Sequence, residues 1–181
     1  MIVIVGASAS GKTEVSKILV EKYGFMKCVT TTTRLKRINE VDGIDYHFLT
    51  KEEFKLLISK NAFVEYAIYQ DNFYGINKKD INKNALVIVE PNGANELIRK
   101  MKNNVFIVFF ESQKDIRSKR MFERGDKIDD IQKRLHNDEK IFNKDNLLKV
   151  DLHIENDDHN LSEISKIIKD EYEKYIEKNL G

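Results

Sequence analysis

Residues 6–13 read GASASGKT, the spacing G-x-x-x-x-G-K-[ST], and they follow the apolar run MIVIV directly. No other stretch narrows the fold as sharply. A short β-branched run closed by Gly6 reads as a buried strand. Residues 12–23, KTEVSKILVEKY, put Val15, Ile18, Leu19 and Tyr23 on one helical face, and Gly24 suits the stop. Strand, glycine-rich turn and helix therefore follow one another without a break. Glycines let such a loop curl until successive N–H groups, here from Gly6, Ala7, Ser8, Ala9, Ser10 and Gly11, face inward on an anion. The positive end of the helix adds to that field. Lys12 can reach β- and γ-phosphates, and the Thr13 hydroxyl can ligate Mg²⁺. The context predicts a seat for the phosphates of a nucleoside triphosphate.

Beyond this point strands and helices alternate. YHFL (46–49) predicts a short strand, and TKEEFKLLISKN (50–61) a helix opened by a Thr50–Glu53 capping box, with Phe54, Leu57 and Ile58 on its apolar face. ALVIVE (85–90) and VFIVFF (105–110) are continuous apolar runs, typical of strands covered on both faces. ANELIRKMK between them predicts a crossover helix. Residues 113–124 and 127–142 read as helices, the second with Ile128, Ile131 and Leu135 on one side. VDLHIEN (150–156) predicts a last strand, and 161–176 a final helix through Leu161, Ile164, Ile168, Tyr172 and Tyr175. The alternation predicts an α/β chain with a mainly parallel central sheet. Residues 30–80, richer in turns and aromatics, interrupt it and read as an inserted substructure.

The bulk numbers exclude several classes. A chain of 181 residues suits one domain. Lys plus Arg is 31 against 30 for Asp plus Glu, so there is no basic field for nucleic acid. The single cysteine, Cys28, cannot form an intramolecular disulfide and fits a cytoplasmic, reducing compartment. MIVIV is too short for a signal-peptide core, and no run approaches the ~18 residues of a membrane span. His47, His136, His153 and His159 lack metal-ligand spacing.

Residues 30–48, TTTTRLKRINEVDGIDYHF, concentrate hydroxyls and cations with little to bury. TTTTRLKR followed by EVDGIDYHF, then FVEYAIYQDNFYG (63–75) and RMFERG (120–125), resembles the guanylate kinase family in order and spacing over nearly the whole chain. The resemblance implies a P-loop nucleoside monophosphate kinase with a three-layer fold. It divides a single domain into a core (1–29, 81–119 and 141–181), a monophosphate-binding insert (30–80) and a small helical lid (120–140). It implies small-molecule nucleotides as partners: ATP as phosphoryl donor, with Mg²⁺, and GMP or dGMP as acceptor. Arg34 and Arg37 would clamp the acceptor phosphate, since guanidinium forks match its oxygens, and Tyr46 and Tyr74 would add hydroxyl donors. Glu65 would accept from the adjacent N1–H and N2–H₂ of guanine, a donor pair adenine lacks, with Thr30 also on the base. Gly75 and Glu90 belong to the same seat. Lys12, Arg120, Arg124 and Arg134 would shield the moving phosphoryl group, and Asn156 matches the position that holds adenine. A phosphate oxygen is already deprotonated near neutral pH, so no general base is required.

The chain departs from the family pattern at a few places. Ile88 stands where the first Asp of a D-x-D usually lies, with Glu90 at the second. Ile76 follows Tyr74-Gly75 where Ser or Thr is usual, and Ala9 stands where Gly is frequent. One residue is missing between Arg124 and Arg134. Two alternatives stay open on the sequence. One is a kinase acting on another nucleotide or a sugar phosphate, against which Glu65 argues. The other is a non-catalytic module binding phosphorylated peptides, against which Lys12 and Thr13 argue.

Overall fold

Every residue of the first strand, β1 (Ile2–Gly6), is buried. Its side chains alternate between two faces of a sheet, as the period of two requires. Val3 and Val5 pack with Ala94 and Leu97 of one helix layer, while Ile2 and Ile4 pack with Val15, Leu19, Ile164 and Ile168 of the other. The computed structural model describes residues 1–69, 71–157 and 160–180; positions 70, 158, 159 and 181 lie outside it, His159 among them.

The central sheet is parallel throughout, in the order β2 (Met26–Lys27), β7 (Ala85–Ile88), β1, β8 (Phe106–Glu111), β9 (Leu152–Glu155). Helices α1 (Lys12–Tyr23) and α6 (Leu161–Leu180) cover one face, and α3 (Pro91–Met101) the other. This is the three-layer α/β arrangement expected from the alternation. Parallel strands place all their C-terminal ends on one edge, so the loops after β1, β7, β8 and β9 converge there.

A second sheet, ordered β4 (His47–Phe48), β3 (Thr31–Thr32), β6 (Asn72–Asn77), β5 (Phe63–Tyr69), lies wholly between residues 31 and 77. Its β5–β6 hairpin was not legible as strands, because a register shift between Phe63 and Glu65 breaks the alternation. Helix α2 (Lys51–Ser59) forms with both halves of the Thr50–Glu53 capping box in place. Its Phe54 stacks on Phe63 at 4.6 Å between ring centroids and lies 5.2 Å from Phe73. Gly75 passes so close beneath that a Cβ would stand 2.8 Å from Phe63 and 2.9 Å from Phe54.

Helices α4 (Lys114–Glu123) and α5 (Ile128–Ile141) form a hairpin with its own small core of Met121, Ile131 and Leu135, against which Ala9 packs. One strand is shorter than expected. β7 ends at Ile88 and Glu90 turns to cap α3, which begins at Pro91 and not at Ala94. Pro91 lacks an N–H and has a preset φ, so it opens a helix and cannot extend a ladder. No helix among the described residues is long and apolar enough to cross a membrane.

Candidate active site

The loop of residues 6–13 is held from below. Gly6 has no room for a side chain, since a Cβ would lie 2.5 Å from the Phe110 carbonyl oxygen. Gly11, the residue capping α1, has φ +96°, and a Cβ there would collide with the Asn156 amide. Asn156 is 1% exposed and donates from Nδ2 to the Ser10 carbonyl at 2.8 Å, while its Oδ1 is buried without a partner among the described residues. The structure thus sets Asn156 beneath the loop as a brace. Ala9 adopts φ +60°, a left-handed backbone that glycine would take without strain.

Lys12 curls back over the loop and donates to the Ala7 carbonyl at 2.5 Å and the Ser10 hydroxyl at 3.4 Å. Burial lowers its pKa to about 8, opposed chiefly by the negative charge of Asp138. Thr13 is exposed on the first turn of α1. Among the described residues no trio of His, Cys, Asp or Glu could cage a metal ion. A single hard hydroxyl oxygen beside an anion seat fits Mg²⁺, which keeps most of its water and takes its other ligands from phosphates.

A cavity of about 210 Å³ runs from this loop into the second sheet. Gly6, Ser8 and Lys12 line one end. Thr30, Arg34, Arg37, Tyr46, Glu65, Tyr74, Gly75 and Glu90 line the rest, so the residues expected around an acceptor share one space. Arg34 lies over the Tyr46 and Phe48 rings, at 5.3 and 5.8 Å, and its Nη2 donates to Glu40 Oε1 at 2.7 Å. The Arg37 N–H donates to the other Glu40 oxygen at 2.8 Å. Burial alone would raise the Glu40 pKa; Arg34 and Arg37 outweigh it and hold the carboxyl below its ordinary value.

Glu65 is 3% exposed and its Oε1 has no hydrogen-bond partner among the described residues. Burial, with Glu90 adding and Lys100 opposing, pushes its pKa up to about 7. Glu90 spends both oxygens on the start of α3, accepting from Gly93 N at 2.9 Å and Asn92 N at 3.0 Å. Ile76 and Ile88 also line the cavity, and Ile76, 1% exposed, belongs to the core cluster around Val3 and Val87. An apolar residue at 76 is therefore anchored on the core side.

The arginines of α4 and α5 do not line that cavity. Arg120 wraps the outer side of the loop, donating to the carbonyls of Ala9 at 3.2 Å and Asn156 at 2.9 Å. Arg124 and Arg134 converge on one carboxylate oxygen of Asp126, at 2.5 and 3.2 Å. Arg117 and Asp138, 6% and 1% exposed, pair at 3.4 Å, and Asp138 accepts from the Ser8 N–H at 2.7 Å. Both line a second cavity of about 320 Å³. Sequence reasoning assigned no role to Glu40, Asp126, Arg117 or Asp138. A signal existed for the last two: Arg117 falls four residues before Met121, and Asp138 three after Leu135, so each puts a charge on an apolar helical stripe.

The comparisons with known proteins agree with this geometry. The family model for guanylate kinase matches residues 1–175. The guanylate kinase of Clostridium perfringens (strain SM101 / Type A) is 37% identical over 132 residues, a match covering 69% of this chain but only 61% of that protein's own length. The guanylate kinase of Mycoplasma genitalium is 32% identical over 181 residues, covering 94% of this chain and 75% of that protein. The crystal structure of guanylate kinase from Anaplasma phagocytophilum has the same fold, with a TM-score of 0.68 at 24% identity over 96% of this chain and 85% of that one. A gluconokinase from Sinorhizobium meliloti 1021 shares the fold more loosely, with a TM-score of 0.57 at 15% identity over 99% of this chain and 94% of that one. By family model and by identity to curated relatives, the chain belongs to the guanylate kinase family.

Proposed function

We propose that the protein transfers the γ-phosphoryl group of ATP to GMP or dGMP. One observation carries the choice of acceptor. Glu65 is a buried carboxyl on the cavity wall with an oxygen that nothing among the described residues satisfies. An unpartnered buried acceptor is unfavourable until a ligand donor reaches it, and the N1–H and N2–H₂ edge of guanine supplies two. Thr30, 8% exposed on the same cavity, offers a hydroxyl to the base.

The remaining roles follow from charge. Arg34 and Arg37, oriented by Glu40, take the acceptor phosphate, with Tyr46 and Tyr74 as neutral donors. The attacking oxygen is already deprotonated, and no side chain has to remove a proton. Lys12 follows the moving group, and Arg120, Arg124 and Arg134 lower charge onto it from the lid. Bound Mg²⁺, held by Thr13, would neutralise the triphosphate oxygens. Closure of the lid would also exclude water, which suppresses hydrolysis of ATP. Cys28, a buried free thiol, suits the reducing cytosol in which the activity would operate.

The test is a coupled assay of ADP release from ATP and Mg²⁺ with GMP, dGMP, AMP, UMP and a sugar phosphate in turn. Turnover with GMP or dGMP and little with the others is the expected result. Turnover confined to another acceptor would overturn the assignment of guanine, and nucleotide binding without turnover would overturn the enzymatic reading.

A further inference from the structure

The buried ion pair of Arg117 and Asp138 has no part in the chemistry above. Arg117 lies in the first half of α4 and Asp138 in the last turn of α5, so the pair joins the inner ends of the two lid helices. Their side chains are 6% and 1% exposed. Taking two charges out of water costs several kcal/mol, and an apolar pair would close such a hairpin at least as well. The neighbouring cluster of Met121, Ile131 and Leu135 does so a turn away. What an apolar pair could not do is satisfy the phosphate loop. Asp138 Oδ2 accepts from the Ser8 N–H at 2.7 Å, across 130 residues of sequence. Ser8 also lines the cavity that holds Lys12, so the contact ties the lid to the edge of the phosphate seat. Arg117 is itself fixed by donating from Nε to the Ser112 carbonyl at 3.2 Å.

We propose that Asp138, its buried charge neutralised by Arg117, is a positioning residue for phosphoryl transfer, clamping the inner end of the lid to Ser8 so that loop and lid arginines keep one geometry. The inference rests on the kinase reading. Without the clamp the acceptor still binds, because its seat lies in the second sheet. The transferred group, however, meets its cations out of register. Misplacement of about 1 Å in such a site lowers turnover about 100-fold.

Two variants in an Arg117→Leu background test this, since that background leaves no unpaired buried cation. Arg117→Leu/Asp138→Asn keeps an oxygen for the Ser8 N–H, and Arg117→Leu/Asp138→Ala removes it. The expected result is kcat near wild type for the Asn variant and about 10- to 100-fold lower for the Ala variant, with KM for GMP within about twofold in both. Equal kcat in the two folded variants would overturn the proposal. Should the Ala variant fail to fold, hydrogen exchange of the Ser8 amide in the wild-type protein decides. Protection with and without bound ADP is expected, and free exchange in either state would overturn the clamp. GMP-dependent turnover by the wild type separates the two readings. Its absence would sink the kinase assignment, whereas its presence with indifferent variants would sink only the clamp.

Discussion

The Gly93 backbone closes on the Glu65 carboxylate: a Cβ at Gly93 would stand 3.3 Å from Glu65 Oε1 and 3.5 Å from its Cδ. The start of α3 therefore closes on Glu65 from one side, while the same side chain lines the cavity. Burial and the nearby Glu90 keep the carboxyl at about pH 7, poised between its two forms.

Replacing Glu65 with Gln should abolish base selection while sparing the donor seat. The amide would turn N–H groups toward the N–H groups of guanine. Steady-state kinetics should show kcat/KM for GMP falling at least about 100-fold, with KM for ATP nearly unchanged. Retention of the GMP-over-AMP preference would refute the base-reading role.

The same carboxyl should leave a mark on stability. Its folded pKa of about 7 lies above the ordinary 4.5. Between those values the folded state binds more protons than the unfolded one, so stability falls as pH rises through the window. In Glu65→Gln that fall should shrink by up to about 3 kcal/mol between pH 5 and pH 8. Urea titrations of both proteins at the two pH values measure it.

Lys12 carries the opposite sign. Its pKa is lowered to about 8 from 10.5, so the unfolded state binds more protons between them and stability rises with pH across that interval. Lys12→Met should lose this rise and lower kcat by at least about 100-fold. Thermal melts at pH 7.5 and pH 10, beside turnover assays, check both.

Glu40 orients the arginine pair without being placed on the substrate. Glu40→Gln should loosen Arg34 and Arg37 and raise KM for GMP about 10-fold with little change in kcat. A fall in kcat at unchanged KM would place Glu40 in the transfer step itself.

Gly75→Ala should wedge a methyl group against Phe54 and Phe63. Overpacking of this kind costs about 1–3 kcal/mol. The urea midpoint should drop at constant m-value, and GMP binding should weaken because β6 carries Tyr74.

What the sequence alone determined is what lies within a few residues of itself. The strand, glycine loop and helix of residues 2–23 and the Thr50–Glu53 capping box all follow from backbone dihedrals and side-chain periodicity. The family motifs named Arg34, Arg37, Tyr46, Glu65 and Tyr74, and all five meet on one cavity. Tertiary structure decided the rest. It turned Glu90 to cap α3, set Asn156 under Ser10 and gathered Arg124 and Arg134 on Asp126. It also brought Asp138 to Ser8 across 130 positions. Such contacts depend on which faces pack together, and no local periodicity encodes the partner of a buried charge.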